Sequence, residues 1–528
     1  MMDLMKMLPK KSKPFVYVVI GLLLIFLQQA KAQVIERPNI ILIMTDQHRA
    51  DAVGYAGNSA IFTPNLDRLA ADGVIFSNAY SSTPSCTPAR AALLTGMSPW
   101  HHGMLGYGKV ARAYEFEMPR MLREQGYYTY GIGKMHWYPQ KALHGFHGTL
   151  IDESGRIESE GFVSDYRDWF KLTAPGKDPD LTGIGWNEHR AGVFQLDEYL
   201  HPDHWKADRA IELLNNYDLE APLFLKVSFS RPHSPYDPPQ RVLDQYDGVQ
   251  IPNPVVGDWA KDFANYPNTP EAAFGDFGVD HAVKSRKHYY ALITFLDEQI
   301  GRIIEKLKEK GMYDNSLILF VSDHGDMLGD HHHWRKTYAY EGSAKVPLVI
   351  KPAKNRMNVV SSPVLENPVE IRDILPTFLD AAGAKIPEKM DGASMLKLIE
   401  KVNAPWREFI DLEHATAYRA ENYWCALTDG REKYIWFFNT GEEQLFDLIQ
   451  DPTELSDISS SDRGRLEKWR NRMITHLSER GEDFVKDGKL VIRENNLLYS
   501  PHYPKEELDA REALNRWVDE LVSSFVLE

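Results

Sequence analysis

The stretch N-I-I-L-I-M-T-D-Q-H at residues 39–48 decides the fold. Its apolar run, Ile40 to Met44, suits a strand buried on both faces, as in a parallel sheet. Asp46 and Gln47 sit just past its carboxyl end. The pattern returns far along the chain as S-L-I-L-F-V-S-D-H-G-D at 316–326, with Leu317 to Val321 apolar and Asp323-His324 following. Between the two, Ser285 to Lys310 carries Tyr289, Ile293, Leu296, Ile300, Ile303, Ile304 and Leu307 at helical spacing, and Gly311 is placed to end that helix. Helix followed by strand predicts an α/β sheet with helices on its faces. Ligands in such sheets bind outside the carboxyl ends of strands. Either acidic pair alone reads as a turn former or helix cap. Together, Asp46, Gln47 and Asp323 are hard oxygen donors converging on one place, which suits calcium or magnesium.

Around this pair the chain is that of an ordinary globular protein. It has 528 residues, a net charge of -15 and only two cysteines, Cys86 and Cys425. The acidic balance excludes a nucleic-acid binder, whose phosphate contacts need a basic face. It constrains only the outer surface, because a few buried cations can make a basic pocket inside an acidic protein. Lys6, Lys10, Lys11 and Lys13 precede an apolar run from Phe15 to Leu27, and Ala30-Lys31-Ala32 closes the segment. The run is too short for a comfortable membrane helix, so residues 1–32 read as a cleavable signal peptide. The expectation is an exported, periplasmic protein with no stable membrane anchor.

Cys86 opens C-T-P-A-R-A-A-L-L-T-G at 86–96. Pro88 suits a first helical position and Gly96 a helix stop. Cys86 then lies at a helix N-terminus, where free N–H groups attract anions, and Arg90 adds a fixed cation with bidentate geometry. A lone Cys is usually a small buried hydrophobe; this setting favours chemistry.

The motif C-T-P-A-R resembles the C-x-P-x-R signature of the sulfatase family. The resemblance runs on through G-I-G-K-M-H-W at 131–137, R-P-H-S-P-Y at 231–236, S-D-H-G-D-M-L-G-D-H at 322–331 and W-R-K-T-Y-A-Y-E-G-S-A-K-V-P-L at 334–348. It implies an alkaline-phosphatase-like fold: a large mixed sheet flanked by helices, then a smaller C-terminal α+β domain on an antiparallel sheet. It implies that Cys86 is converted by a maturation enzyme to formylglycine (3-oxoalanine), whose hydrate is the nucleophile, with Arg90 supporting hydrate and sulfate. Asp46, Gln47, Asp323 and His324 match the metal positions, usually calcium, with Mg2+ as the alternative. Lys134, His136, His233 and Lys336 match residues that bind sulfate, accept the hydrate proton or serve the leaving group. Gln47 and His324 stand where many relatives carry Asp and Asn, and imidazole is not a preferred calcium ligand. By this reading Cys425 stays unpaired.

The longer stretches around these motifs look like bacterial glycosaminoglycan uronate 2-O-sulfatases, which act on lyase-generated heparan or chondroitin fragments. Such a substrate carries a carboxylate as well, so Lys109, Lys177 and Arg241 are candidate substrate-binding cations, with a solvated surface role as the alternative. Other readings are another carbohydrate or aryl sulfatase, a phosphonate or phosphodiester hydrolase, or a non-catalytic glycan-binding protein. His331-His332-His333 beside Asp330 invites a zinc site, but three consecutive side chains do not easily face one ion. The catalytic part is expected over 33–402. A C-terminal subdomain follows over 403–528, with strands at 407–415, 423–428, 433–438 and 444–448, a helix at 463–480 and a closing amphipathic helix at 506–526.

Overall fold

The computed structural model describes residues 37–265, 269–354, 359 and 362–504. The signal segment 1–32 and the closing helix expected over 506–526 lie outside them.

The strands are β1 (Asn39–Asp46), β2 (Val74–Phe76), β3 (Ala79–Tyr80), β4 (Tyr128–Gly133), β5 (Gly148–Ile151), β6 (Leu223–Pro232), β7 (Ser316–Ser322), β8 (Leu348–Lys351), β9 (Val364–Leu365) and β10 (Val369–Glu370). All except β3 and β10, which pair with each other, form one eight-stranded sheet in the order β5-β4-β6-β1-β7-β8-β2-β9. The block from β5 to β7 is parallel; β8 runs antiparallel to both β7 and β2. The sheet is therefore mixed.

Alternation along β1 shows why its run is apolar throughout. Ile40, Leu42 and Met44 enter one core with Leu317, Leu319, Val321, Leu375 and Phe378. Ile41 and Ile43 enter the other, with Leu225, Val227, Ile300, Ile303 and Leu307. A strand covered on both faces has no polar side. The long helix is Val279–Glu309. It begins earlier than the apolar spacing predicts because its first turn, V-D-H-A, buries only Ala282 and carries no readable stripe. Gly311 follows it at φ +67°, left-handed as a stop requires.

The C-terminal sheet is antiparallel: β11 (Ile410–His414), β12 (Trp424–Thr428), β13 (Glu432–Phe437) and β14 (Glu443–Asp447), in that order. Each strand lies within about a residue of its expected span except β11, which starts later because Arg407 turns to Glu370 and Asp373 instead of joining the ladder. The helix Arg463–Ser478 covers one face through Leu466, Trp469, Met473 and Leu477. The other face, through Leu412, Trp424, Ala426 and Phe446, packs on Tyr80, Met327, Tyr338 and Tyr340. Both sheets belong to one compact unit beginning at Pro38.

Candidate active site

Three neighbouring parallel strands, β6, β1 and β7, deliver the first groups. Thr45 pairs with Ser322, so Asp46 and Asp323 leave the sheet side by side. Gln47 turns the chain at φ 67°, its N–H donating to Asp323 Oδ1 at 3.0 Å. The His324 N–H donates to the same oxygen at 3.0 Å. From the end of β6, the His233 N–H donates to the Asp46 carbonyl at 3.0 Å. Lys134 follows β4, held by its N–H to the Ser228 carbonyl at 2.9 Å. This is the carboxyl edge of the sheet, where its ligands are expected.

The signature helix, Cys86–Thr95, points its N-terminus at that edge. It starts at Cys86, so Pro88 occupies the third helical position and not the first. The correction is small, since an N–H there has no intrahelical partner anyway. Gly96 ends the helix at φ 68°. Cys86 Sγ lies 3.0 Å from Lys336 Nζ, 3.3 Å from His324 Nε2, 3.7 Å from Asp46 Oδ1 and 3.9 Å from Lys134 Nζ. Arg90 donates Nε to Asp323 Oδ2 at 3.0 Å, and its Nη2 lies 3.3 Å from Asp46 Oδ2. Its Nη1 donates to the Lys134 carbonyl and Ser228 Oγ. Lys134 Nζ pairs with Asp46 Oδ2. All of these side chains are buried.

Burial works to raise the Asp46 carboxyl, but Lys134, His233, Lys336 and Arg90 together hold it well below the usual carboxylate range. The same contest sets Cys86: burial and Asp46 push its thiol up, and Lys134, Lys336 and His324 outweigh them. His233 moves the other way: burial first, then Lys336, hold it well below the ordinary imidazole value. The pocket thus favours negative charge at the Cys86 position and keeps His233 neutral.

The donor set also fits a divalent cation. Ligand atoms of Asp46, Cys86, Asp323 and His324 lie within 4.8 Å of one another. His324 Nδ1 faces the Gly325 carbonyl at 2.9 Å, so Nε2 is the nitrogen turned to the cluster. Burial opposes a proton there but Asp323 outweighs it and favours one, whose place a bound cation would take. Gln47 donates its amide nitrogen to Asp326 Oδ2 at 2.5 Å, leaving its buried Oε1 without a partner. A buried amide oxygen without a partner suits a hard ion.

The remaining candidates divide. His233 stands over the pocket: Nδ1 faces the Ser234 carbonyl at 3.0 Å and Nε2 faces Arg156 Nη2 at 3.4 Å. His136 lies at the mouth, Nε2 at 3.2 Å from both Glu158 Oε1 and Tyr107 Oη, with Nδ1 buried and unpartnered. Lys109 places its ammonium 4.1 Å over the Tyr138 ring. The structure does not bring Lys177 or Arg241 to the cluster: Lys177 pairs with Asp197, and exposed Arg241 is clamped by Glu198 and Glu298. His331 and His333 pack on Trp259, Phe263, Phe274 and Tyr338 as an aromatic wall, away from any common ion. Both cysteines are free and buried.

Sequence reasoning missed Arg156, Glu158, Tyr107, Asp326 and His414. Asp326 carried a signal, since it lies inside the 322–331 motif, and so did Tyr107, in the G-Y-G-K-V run at 106–110; Asp326 holds Gln47 and Tyr236 from behind. The others come from loops or from the second sheet and have no periodicity to betray them.

The sulfatase family model matches residues 38–384, and the model for the C-terminal part of N-sulphoglucosamine sulphohydrolase matches residues 329–482. An arylsulfatase of Clostridium perfringens is 39% identical over 473 residues, covering 86% of this chain and 97% of the relative. A choline-sulfatase of Rhizobium meliloti is 31% identical over 453 residues, covering 82% and 84%. In fold, the chain resembles the phosphonate monoester hydrolase of Agrobacterium radiobacter at a TM-score of 0.69, with 24% identity and coverage of 84% of this chain and 96% of that one. With the matched family model spanning most of its length and a curated relative at this identity, the chain belongs to the sulfatase family.

Proposed function

We propose that this sulfuric ester hydrolase removes the 2-O-sulfate from unsaturated uronate in heparan- or chondroitin-derived oligosaccharides. The observation that carries the sulfate-ester part is the convergence of Lys336 and Lys134 on Cys86 at the carboxyl edge of the sheet, with Arg90 on the neighbouring Asp323 and Asp46. The uronate part rests on the sequence resemblance around those motifs.

Formylglycine at position 86 would supply an oxygen nucleophile for sulfur that also permits release of the bound sulfate. A divalent cation held by Asp46, Gln47, Asp323 and His324 would make that oxygen easier to deprotonate. Calcium is the ion the resemblance implies, and Mg2+ the substitute to compare. Lys134 and Lys336 hold the sulfate oxygens, the electrostatic role that dominates such transfers. In the resting state burial first, then Lys336, keep His233 unprotonated, and Arg156 occupies its Nε2 lone pair. Bound sulfate cancels part of that positive charge, so His233 takes up a proton with the substrate and holds it at Nε2 for the leaving oxygen. His136, with Nε2–H turned to Glu158, keeps its Nδ1 lone pair to receive the nucleophile's second proton.

Residues 33–402 then form the catalytic part and 403–528 a supporting α+β subdomain. Export rests on the basic, apolar and small-residue order of residues 6–32; a formylglycine-generating enzyme is the required partner. No helix among the described residues is long and apolar enough to cross a membrane.

A panel of defined sulfated disaccharides with 4-nitrophenyl sulfate tests the substrate. Sulfate release from the 2-O-sulfated unsaturated disaccharide is the expected result. Release only from 6-O-sulfated glucosamine or only from the aryl ester overturns it; the 39% identity to an arylsulfatase makes the aryl ester the second reading. A matched phosphonate ester separates the phosphonate hydrolase alternative. Cys86→Ala should fold normally and lose at least roughly a thousandfold in turnover, as expected when a nucleophile is removed.

A further inference from the structure

One feature of the pocket mouth is not explained by sulfate binding. The chain from Asp152 to Ser159 is strapped at both ends. Glu153 Oε1 accepts the N–H groups of Met135 and His136 at 3.0 and 2.8 Å. Buried Gln140 accepts from the N–H groups of Glu158 and Ser159 through Oε1 and donates its amide to the Arg156 carbonyl at 2.9 Å. Gly155 makes the intervening turn at φ +79°, and a Cβ there would lie 2.6 Å from Trp186 Cζ2. The strap therefore presents Arg156 in a fixed position, its guanidinium 5.8 Å from the Trp186 ring centroid.

Arg156 Nη2 donates to His233 Nε2 at 3.4 Å. The His233 Nδ1 proton is committed to the Ser234 carbonyl, so Nε2 accepts while the ring is neutral; once Nε2 is protonated for the leaving oxygen, Arg156 Nη2 loses that acceptor. The neighbouring Nη1 is buried and has no partner among the described residues. Glu158, the nearest acid along the strap, is engaged instead by His136 and Tyr107. A buried guanidinium donor left unpaired is costly. Its planar fork matches a carboxylate through two parallel bonds.

We propose that Arg156 is a specificity-determining residue that reads a carboxylate on the alcohol half of the sulfate ester. This rests on the sulfatase reading and deepens its substrate claim. With His233 beside the leaving oxygen, Arg156 reaches a group about one further hydrogen bond away, roughly 3 Å, which lies within a single sugar ring. Glu158 and Tyr107, both on His136 Nε2, suit the hydroxyls of the same ring. A cationic alcohol such as choline is disfavoured by the same charge.

The test uses formylglycine-containing holoenzyme and sulfate release from phenyl sulfates carrying a carboxylate ortho, meta or para to the ester. Each is compared with its neutral carboxamide analogue. The expected result is that at least one carboxylate exceeds its carboxamide in kcat/KM by roughly tenfold or more, the size of a charge-assisted hydrogen bond, with the difference in KM. Arg156→Gln should bring that ratio close to one, and Arg156→Lys should keep part of it. Absence of the ratio in the wild-type enzyme, or its survival in Arg156→Gln, overturns the proposal. The 2-O-sulfated disaccharide and its carboxyl methyl ester separate this inference from the uronate reading. Equal cleavage of both refutes the carboxylate subsite alone. An intact aryl ratio with no cleavage of the disaccharide refutes the uronate reading alone.

Discussion

Ser85 Oγ donates a hydrogen bond of 2.9 Å to His414 Nε2, across 329 residues of sequence. Ser85 precedes Cys86, and His414 ends β11 of the second sheet, so the C-terminal sheet holds the start of the signature helix. His414 Nδ1 is committed to the Ala415 carbonyl, and burial takes the imidazole down to about 4. It is therefore a neutral acceptor at pH 7.

His414→Ala should leave the Ser85 hydroxyl buried and unpaired, lowering stability by about 1–3 kcal/mol. Thermal denaturation reads this directly. His414→Gln, which restores an acceptor, should recover part of the loss, and kcat should follow the same order.

Chelation should abolish turnover, and calcium should restore it if the ion is the one the resemblance implies. His324 is the weak point for calcium, because imidazole favours softer ions. His324→Asn should tighten calcium binding and weaken binding of zinc or manganese, as measured by titration calorimetry on the apo-protein. Unchanged ion preference in that variant would remove His324 from the ligand set.

Four buried histidines give the fold an acid limit. Burial lowers His48 and His414 to about 4 and His102 and His333 to about 3. The unfolded chain binds their protons from about pH 6.5 downward, whereas the folded protein does not, so stability falls as pH drops. The loss begins near pH 6.5 and continues to about 3–4, where the folded sites at last protonate. The buried carboxyls of Glu370 and Glu454, raised to about 7, act with the opposite sign, so the histidine share is read as a difference: the melting temperature of His333→Phe should run parallel to that of the wild-type chain from pH 8 to about 6.5 and fall less steeply below it.

Lys226 lies buried on β6, its ammonium 5.4 Å from the Trp137 ring centroid. Burial and Arg90 push it down to about 7. Between that value and its ordinary one the unfolded chain holds the extra proton, so stability rises with pH across this window. Lys226→Met should raise neutral-pH stability by a few kcal/mol, on the order set by that shift, with the gain shrinking toward pH 10. Calorimetric unfolding at pH 7 and pH 9.5 checks both size and trend.

Strands buried on both faces announce themselves, and so did Ile40 to Met44 and Leu317 to Val321. The C-x-P-x-R helix was equally plain, because capping and charge are local. The mouth of the pocket was not. Arg156 and Glu158 acquire meaning only from Gln140 and Glu153, which hold their loop, and His414 only from Ser85. Lys177 and Arg241 show the converse. Nearness to motifs in sequence suggested a substrate role, but nothing local in the sequence revealed that Asp197, Glu198 and Glu298 would engage them. Side-chain partnership across tens to hundreds of residues leaves no trace in periodicity.

The in-register pairing of β1 with β7 has a consequence in time. At about 5–20 residues per second, the 276 residues separating Gln47 from Asp323 take roughly 14–55 s to synthesise. For that interval the first half of the proposed ion cage exists without the second, and the central strand lacks one of its two neighbours. Cys86 is only 1% exposed once the sheet is complete. The order of assembly therefore leaves a window, closed by β7, in which the oxidation proposed for that thiol would have to take place.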